Sequence, residues 1–358
     1  MSEAREDPRL AEQVRGMIRR AVERNVKGLQ FLTAGPAPVG MTPKDVVLSR
    51  GTLKLYHYRP LADEVYRVPV LMVMATTNKA FVFDLAPGQS MVEYLLKSGF
   101  DVYVIDWDPP TAEERSLDLA TYTQDFIPRC VDLVLQRAGE PDLSIVGYCM
   151  GGVLSLIYAS THTAGPLKNL ACLTTPVNWH GMELTRRWSD ERYFNVDEFV
   201  DTVGIVPADF ITQGFEMLRP AQKTAGRIRV WEQMWNDEFV KSYRAFERWG
   251  NETLPLAGEY FRETTRELLW GNRLCNGDLV VAGKPAKLSN IKVPVLSAIA
   301  EHDHICPYEA SKPLLELVGS TDKEEIILKG GHVSLIAGPN AMKRMWPRLA
   351  NWLAERSV

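Results

Sequence analysis

Cys149 lies in the run Gly147-Tyr148-Cys149-Met150-Gly151-Gly152. A stretch of strand-forming residues, LSIVGY at 143–148, precedes it, and a helical stretch over about 150–160 follows. A cysteine on a sharp strand-to-helix turn is set out as a nucleophile. The glycines two positions to either side have a steric reason: side chains there would collide with the neighbouring helix and strand, on a turn that is already strained. At a helix N-terminus the dipole and the free amides stabilise a thiolate, the reactive form of sulfur. G-x-C-x-G alone also occurs by chance, and buried cysteines are mostly inert packing. The strand before and the helix after favour the nucleophile.

A thiol nucleophile needs a base, and the base needs an orienting carboxylate. On α/β-hydrolase folds they follow in the order nucleophile, acid, histidine, each after a late strand. Asp303 ends the apolar run VPVLSAIAEHD at 293–303, and His332 follows the strand EEIILKG at 324–330 in Gly330-Gly331-His332. Asp303 would hold the imidazole in its working tautomer, and His332 would take the proton from Cys149 or from an incoming alcohol. The bland readings are a turn or helix cap for Asp303 and a loop histidine for His332. All three residues in this order and context point to a triad. Six histidines exist, at 57, 162, 180, 302, 304 and 332. His304 is too near Asp303 in sequence to be its partner, though it is a candidate for the pocket wall. His302-x-His304 without further ligands does not make a metal site, and no metal is expected. For the developing oxyanion, one donor is the amide after the nucleophile, here Met150. The second is the backbone of Thr77 or a neighbour in Thr76-Thr77-Asn78-Lys79.

These residues require a sheet that delivers them to one edge. Short β-rich runs stand at 53–58 and 69–75, then a helical stretch near 90–98, the strand DVYVIDW at 101–107 and a helix across 117–137. After the elbow come LACLTTPV at 170–177 and, further on, the strand at 293–303, a helix near 308–318, the strand at 324–330 and a closing helix over 341–355. Alternation at these lengths predicts a mostly parallel, doubly wound α/β sheet covered on both faces. Between 178 and 288 the texture changes: six of the nine tryptophans fall there, with many charges and few β-branched runs. That segment reads as a mainly helical cap inserted into a core made of 41–177 and 289–358. The cap is either a moving lid and dimerisation element or a local core built on its tryptophans. Residues 1–40 hold an amphipathic basic helix over 8–29 and a linker broken by Gly35, Pro36 and Pro38. The basic helix is either a solvated peripheral face or a docking surface for a partner or an anionic surface.

Composition narrows the class. The chain has 358 residues, 46% hydrophobic and 24% charged, which excludes disordered and collagen-like chains. A formal charge of -4 gives no field for nucleic acid. Cys130, Cys149, Cys172, Cys275 and Cys306 are odd in number and scattered without a CxxC pair, as in a reducing compartment. The beginning, MSEAREDPRL, is charged, and no apolar run approaches the ~18–20 residues that span a bilayer. A cytoplasmic protein without a transmembrane segment is expected.

With the elbow, Asp303-His304-Ile305 and Gly331-His332, the sequence resembles the catalytic subunit of polyhydroxyalkanoate synthases, above all the short two-component kinds, class III and class IV. The likeness runs from about residue 40 onward. It includes ATTNK at 75–79, DVYVIDW at 101–107, DFIPRCVDLV at 125–134, LTTPV at 173–177, the D-H-I-x-P run through Pro307 and GGH at 330–332. The resemblance implies a cysteine-dependent acyltransferase that polymerises (R)-3-hydroxyacyl-CoA, typically 3-hydroxybutyryl-CoA, into polyester and releases CoA. No cofactor is implied beyond the CoA thioester substrate. By position, Cys149 matches the acyl-carrying nucleophile, Asp303 the acid, His332 the base, His304 the histidine beside the acid and Thr77 the second oxyanion amide. A homodimer, a smaller separate subunit, a growing polyester chain as partner and a place at the granule surface are implied in the same way.

Two positions depart from the family. Asp108 follows Asp106-Trp107 where glycine is common, which bears on a turn near the active-site face, and Met150 follows the nucleophile, which bears on pocket shape. Two rivals stay open. A dienelactone-type or acyl-CoA hydrolase also uses G-x-C-x-G with Asp and His, but such enzymes are compact and lack so long a helical insertion. An inactive granule-associated paralogue would retain the fold and not the turnover.

Overall fold

The computed structural model describes residues 8–357. The charged residues at the start of the sequence, through Asp7, lie outside the described residues, and so does the side chain of Leu10 in the amphipathic helix.

The sheet is built from β1 (Lys44–Arg50), β2 (Leu53–Tyr58), β3 (Val70–Val73), β4 (Val102–Trp107), β5 (Leu143–Tyr148) and β6 (Leu167–Leu173). Four two-residue strands follow, β7 (Ile205–Val206), β8 (Leu256–Ala257), β9 (Val280–Val281) and β10 (Lys284–Pro285), and then β11 (Val295–Ala300) and β12 (Lys323–Leu328). The eight long strands lie in the order β1-β2-β4-β3-β5-β6-β11-β12. β2 runs antiparallel to β1 and β4, and the rest pair in parallel. This is the α/β-hydrolase sheet that the alternation predicts. β3, β4, β5 and β11 are buried at every position, which explains why they read as continuous apolar runs and not as alternating ones.

Helices cover both faces. α1 (Pro8–Thr33) precedes the sheet; α2 (Met91–Lys97) starts at Ser90, whose side chain accepts the Glu93 amide; α3 (Ile127–Ala138) ends on Gly139 in the left-handed conformation. α4 (Met150–Thr161) is buried from Gly151 to Ser160, an apolar helix in the centre of the molecule. Three local expectations shift. The run at 170–177 is a strand only through Leu173, because Thr174 takes a positive φ of 44° and turns the chain away. The helix near 308–318 is two short pieces, Tyr308–Ser311 and Leu314–Leu317, separated at Pro313. The closing helix begins with π-turns over Ala341–Met345 before Trp346–Ala354.

Over the carboxyl ends of the parallel strands stand α5 (Glu183–Trp188), α6 (Val196–Val203), α7 (Ala208–Leu218), α8 (Gln222–Glu232), α9 (Asp237–Asn251) and α10 (Gly258–Glu263). Phe194, Phe199, Phe210 and Phe261 form a ring cluster there, with centroids 4.7–6.4 Å apart. The segment 280–290, which composition groups with the insertion, instead packs against α4 of the core. Lys284 Nζ donates to Gln124 Oε1, and Asn290 Nδ2 donates to the Ser160 carbonyl. The six tryptophans of the insertion also divide: Trp179 and Trp188 face a cavity below the helices, and Trp231 and Trp235 face outward.

Candidate active site

β5 ends at Tyr148, and Cys149 caps α4 with φ 52° and ψ −119°, a strained conformation for a residue with a side chain. Its amide donates to the Leu173 carbonyl on β6. A β-carbon on Gly147 would stand 2.5 Å from Gly152 Cα, and one on Gly151 would run into the Val73 and Met74 backbone at the end of β3. The turn therefore closes only with glycine at both places. Gly151→Ala is expected to force α4 and β3 apart, at a cost of about 1–3 kcal/mol. Denaturant unfolding measures this, and an unchanged midpoint would refute the steric account.

Two further loops bring the partners. After β11, Asp303 turns so that Oδ1 accepts the amides of Ile305 (2.8 Å) and Cys306 (2.9 Å). Its Oδ2 meets His332 Nδ1 at 2.6 Å. The loop after β12 is tied to it by the His302 amide donating to the Gly330 carbonyl. Both side chains are buried. A carboxylate only accepts, so Nδ1 carries the hydrogen and Nε2 is left for chemistry. The ring leans on Tyr148, with centroids 5.1 Å apart, and it shares a cavity wall with the Cys149 sulfur. Burial pulls His332 down, but the charges of Asp303 and Cys149, with hydrogen bonds to both, outweigh it and push the imidazole up to about 10.

Two cavities meet at the sulfur. The larger, about 440 Å³, is walled by cap residues such as Trp179, Phe210 and Phe261 and reaches Cys149, Met150 and Thr77. The smaller, about 190 Å³, holds His332, Tyr148, Asn78 and Trp249. Thr77, Cys149, Phe215 and Ile305 line both. As the first residue of α4, Met150 has an amide without an intrahelical acceptor. Thr77 and Met150 line the same cavity as Cys149, which makes their amides the candidate donors to an oxyanion there. His304 lines neither cavity. Its Nδ1 is buried without a partner, and burial with the Arg219 charge holds its imidazole below the usual value.

The loop carrying Thr77 is held from two directions. From the core, Lys79 Nζ bonds the Trp107 carbonyl, Asp106 and Asp108, while Asp106 Oδ1 accepts the Ala80 amide at 2.7 Å. Asp108, where the resembled family commonly has glycine, also pairs with Lys54 at 2.6 Å, so it ties β2 to this loop. From the cap, the Leu254 amide donates to the Thr77 carbonyl (2.7 Å), Trp249 Nε1 to the Lys79 carbonyl (3.0 Å) and Thr76 Oγ1 to Tyr260 Oη (3.1 Å). None of Trp249, Leu254 and Tyr260 can be found from spacing, because their partners lie more than 150 residues away. Tyr148 had a signal, its place inside the elbow, but its role as the floor under His332 depends on the fold.

Cys306 lines the larger cavity and hydrogen-bonds Ser311 at 3.1 Å; burial pushes its thiol up. All five cysteines are free. Among the described residues no group of three His, Cys, Asp or Glu side chains is placed to hold a metal ion, and no helix is long and apolar enough to cross a membrane.

Comparison with known proteins gives two family matches. Residues 66–339 match the alpha/beta hydrolase fold, and residues 26–95 match the poly-beta-hydroxybutyrate polymerase (PhaC) N-terminus. The chain is 33% identical over 330 residues to the poly(3-hydroxyalkanoate) polymerase subunit PhaC of Allochromatium vinosum, covering 91% of this chain and 92% of that one. It is 34% identical over 327 residues to the protein of the same name from Haloferax mediterranei, covering 91% of this chain and 66% of that one. The Synechocystis protein of that name is 30% identical, with 92% and 89% covered. Among solved structures, a monoacylglycerol lipase from Paleococcus ferrophilus superposes with a TM-score of 0.53 at 17% identity, covering 84% of this chain and 99% of that one. Epoxide hydrolase A from Mycobacterium thermoresistibile gives 0.54 at 14% identity, covering 87% and 98%. At such identities these two speak for the fold alone.

Proposed function

The chain belongs to the poly(3-hydroxyalkanoate) polymerase subunit PhaC family, and from that premise we propose that it joins (R)-3-hydroxyacyl units from CoA thioesters into polyester through an acyl thioester on Cys149. The observation that carries the reading is the series Cys149, His332, Asp303 at the meeting point of a large apolar cavity and a smaller one that holds the imidazole.

The Cys149 thiol gives its proton to His332 Nε2 as its sulfur attacks the thioester carbonyl, and the oxyanion that forms is received by the Met150 and Thr77 amides. The carbon–sulfur bond to CoA breaks, and the departing thiolate takes the proton from His332 Nε2. Exchange of one thioester for another is nearly energy-neutral, so the acyl group stays activated on the enzyme. The hydroxyl of a second unit then enters by the cavity that holds His332, gives its proton to Nε2 and attacks the acyl carbon. An ester forms and the Cys149 thiolate is released. Asp303 keeps Nδ1 protonated throughout. The relatives are named subunits, which supports assembly of this chain with at least one further chain.

The reading is tested by giving the purified chain 3-hydroxybutyryl-CoA and measuring free thiol while separating insoluble polyester from soluble acid. Polyester in step with CoA is the expected result; soluble acid alone would make the protein a hydrolase.

Acylation should also switch the histidine. The charge on Cys149 is one of the influences holding His332 up near 10, and an acylated sulfur carries none. Burial then acts against Asp303 alone, the imidazole loses its proton more readily, and it becomes a base when a base is needed. In Cys149→Ala, the His332 titration followed by ring-proton NMR is expected to move below its wild-type midpoint. A midpoint that stayed put would break the link between the two residues.

A further inference from the structure

We propose that α1, with the edge of the cap beside it, is a docking surface for an anionic phospholipid bilayer, lying on the membrane without crossing it. One side of α1 is engaged: Gly28 packs against the Trp231 ring, Arg24 lies over that ring at 5.5 Å, and Lys27 bonds Asp237 at 2.7 Å. The opposite side is not covered by any described part of the chain. Val14, Ile18, Val22, Val26, Leu29 and Leu32 recur at helical spacing along it, with Leu29 69% and Leu32 79% exposed, and Met17 is 63% exposed at the edge. A contiguous exposed apolar row of this length marks an interaction surface.

The charge of the helix says what would cover it. Over Pro8–Thr33 there are six Arg and Lys against two Glu, a net of +4, on a chain whose formal charge is -4. The remainder therefore carries -8, so the positive charge is segregated onto the element with the exposed apolar row. Arg19 and Arg20 are exposed, and Arg227 is exposed on α8. Trp231 and Trp235 lie on the engaged side of α1, away from the exposed row. An exposed apolar row on a helix of net positive charge matches the surface of an interfacial helix. A second copy of α1 would bring +4 against +4, and a neutral polyester would have no use for the arginines.

The test is co-sedimentation of the full chain with vesicles of phosphatidylglycerol and phosphatidylcholine, and with phosphatidylcholine alone. Binding at least tenfold stronger to the anionic vesicles, falling as salt is raised, is expected. Ile18→Glu with Leu29→Glu should remove it, while CoA release from soluble substrate and the circular dichroism spectrum stay as in the wild type. Arg19→Gln with Arg20→Gln, on exposed side chains, should weaken binding and flatten its salt dependence. Equal binding to both kinds of vesicle, or no binding, overturns the proposal. So does a change in solution mass by light scattering in the apolar double variant with vesicle binding unaltered, which would make the row a contact between copies.

Discussion

Cys149→Ala is expected to lose both CoA release and polyester formation, by ~10⁴-fold or more, the scale on which enzymes lose turnover with their nucleophile. The fold should survive. The strain at φ 52° belongs to the backbone, and alanine carries the same β-carbon as cysteine. The steric demands of the turn fall on Gly147 and Gly151, which this change leaves alone. Cys149→Ser is the more informative companion. Serine can be acylated, but its ester lacks the activation of a thioester, so a small release of CoA without chain growth is the expected pattern. Assays of thiol and of polymer on the same samples separate the two variants. Polyester made by Cys149→Ala at a rate near that of the wild type would remove the covalent step from the proposal.

Asp303→Asn is expected to reduce turnover by ~10³–10⁴-fold while leaving the fold nearly intact, because the wrong tautomer disables the base. Oδ1 of Asp303 accepts two backbone amides, from Ile305 and Cys306, and an asparagine oxygen in that place can still accept both. Its NH₂ would then point at His332 Nδ1, which must become an acceptor. The hydrogen moves to Nε2, and the atom meant to take a proton already holds one. Asp303→Ala is different in kind: it leaves the buried Cys306 amide and the part-buried Ile305 amide unpaired, with a loss of roughly 1–3 kcal/mol in stability for the buried one. Initial rates and unfolding curves for both variants check this. Activity in Asp303→Asn within tenfold of the wild type would mean that Asp303 does not set the tautomer.

The sheet is legible in the sequence because its central strands, buried on both faces, read as short continuous apolar runs between longer helical stretches, and the elbow between β5 and α4 is a contact between near neighbours in sequence. Glycine at 147 and 151 is demanded by atoms of residues 73, 74 and 152, and that demand leaves a mark in the sequence. The chain order Cys149, Asp303, His332 is likewise a one-dimensional trace of three strand ends in one sheet.

Other features left no such trace. Nothing in the spacing tells that His304 lies off both cavities while its neighbour Asp303 faces the imidazole; one peptide unit in a turn decides it. Nor does composition separate Trp179 and Trp188, which wall the large cavity, from Trp231 and Trp235, which face outward beside α1. Both pairs have the same chemistry and differ only in whether the fold turns them toward the cavity or outward. The grip of Leu254, Trp249 and Tyr260 on the loop of Thr77 belongs to the same class. Residue type and local spacing determined the elbow around Cys149, the order in which Asp303 and His332 follow it and the strands that carry them, because steric and periodic constraints act between neighbours along the chain. The shape of the cavities and the hold of the cap on the oxyanion loop were decided only by tertiary packing, because those bonds join backbone groups that every residue possesses across more than 150 positions.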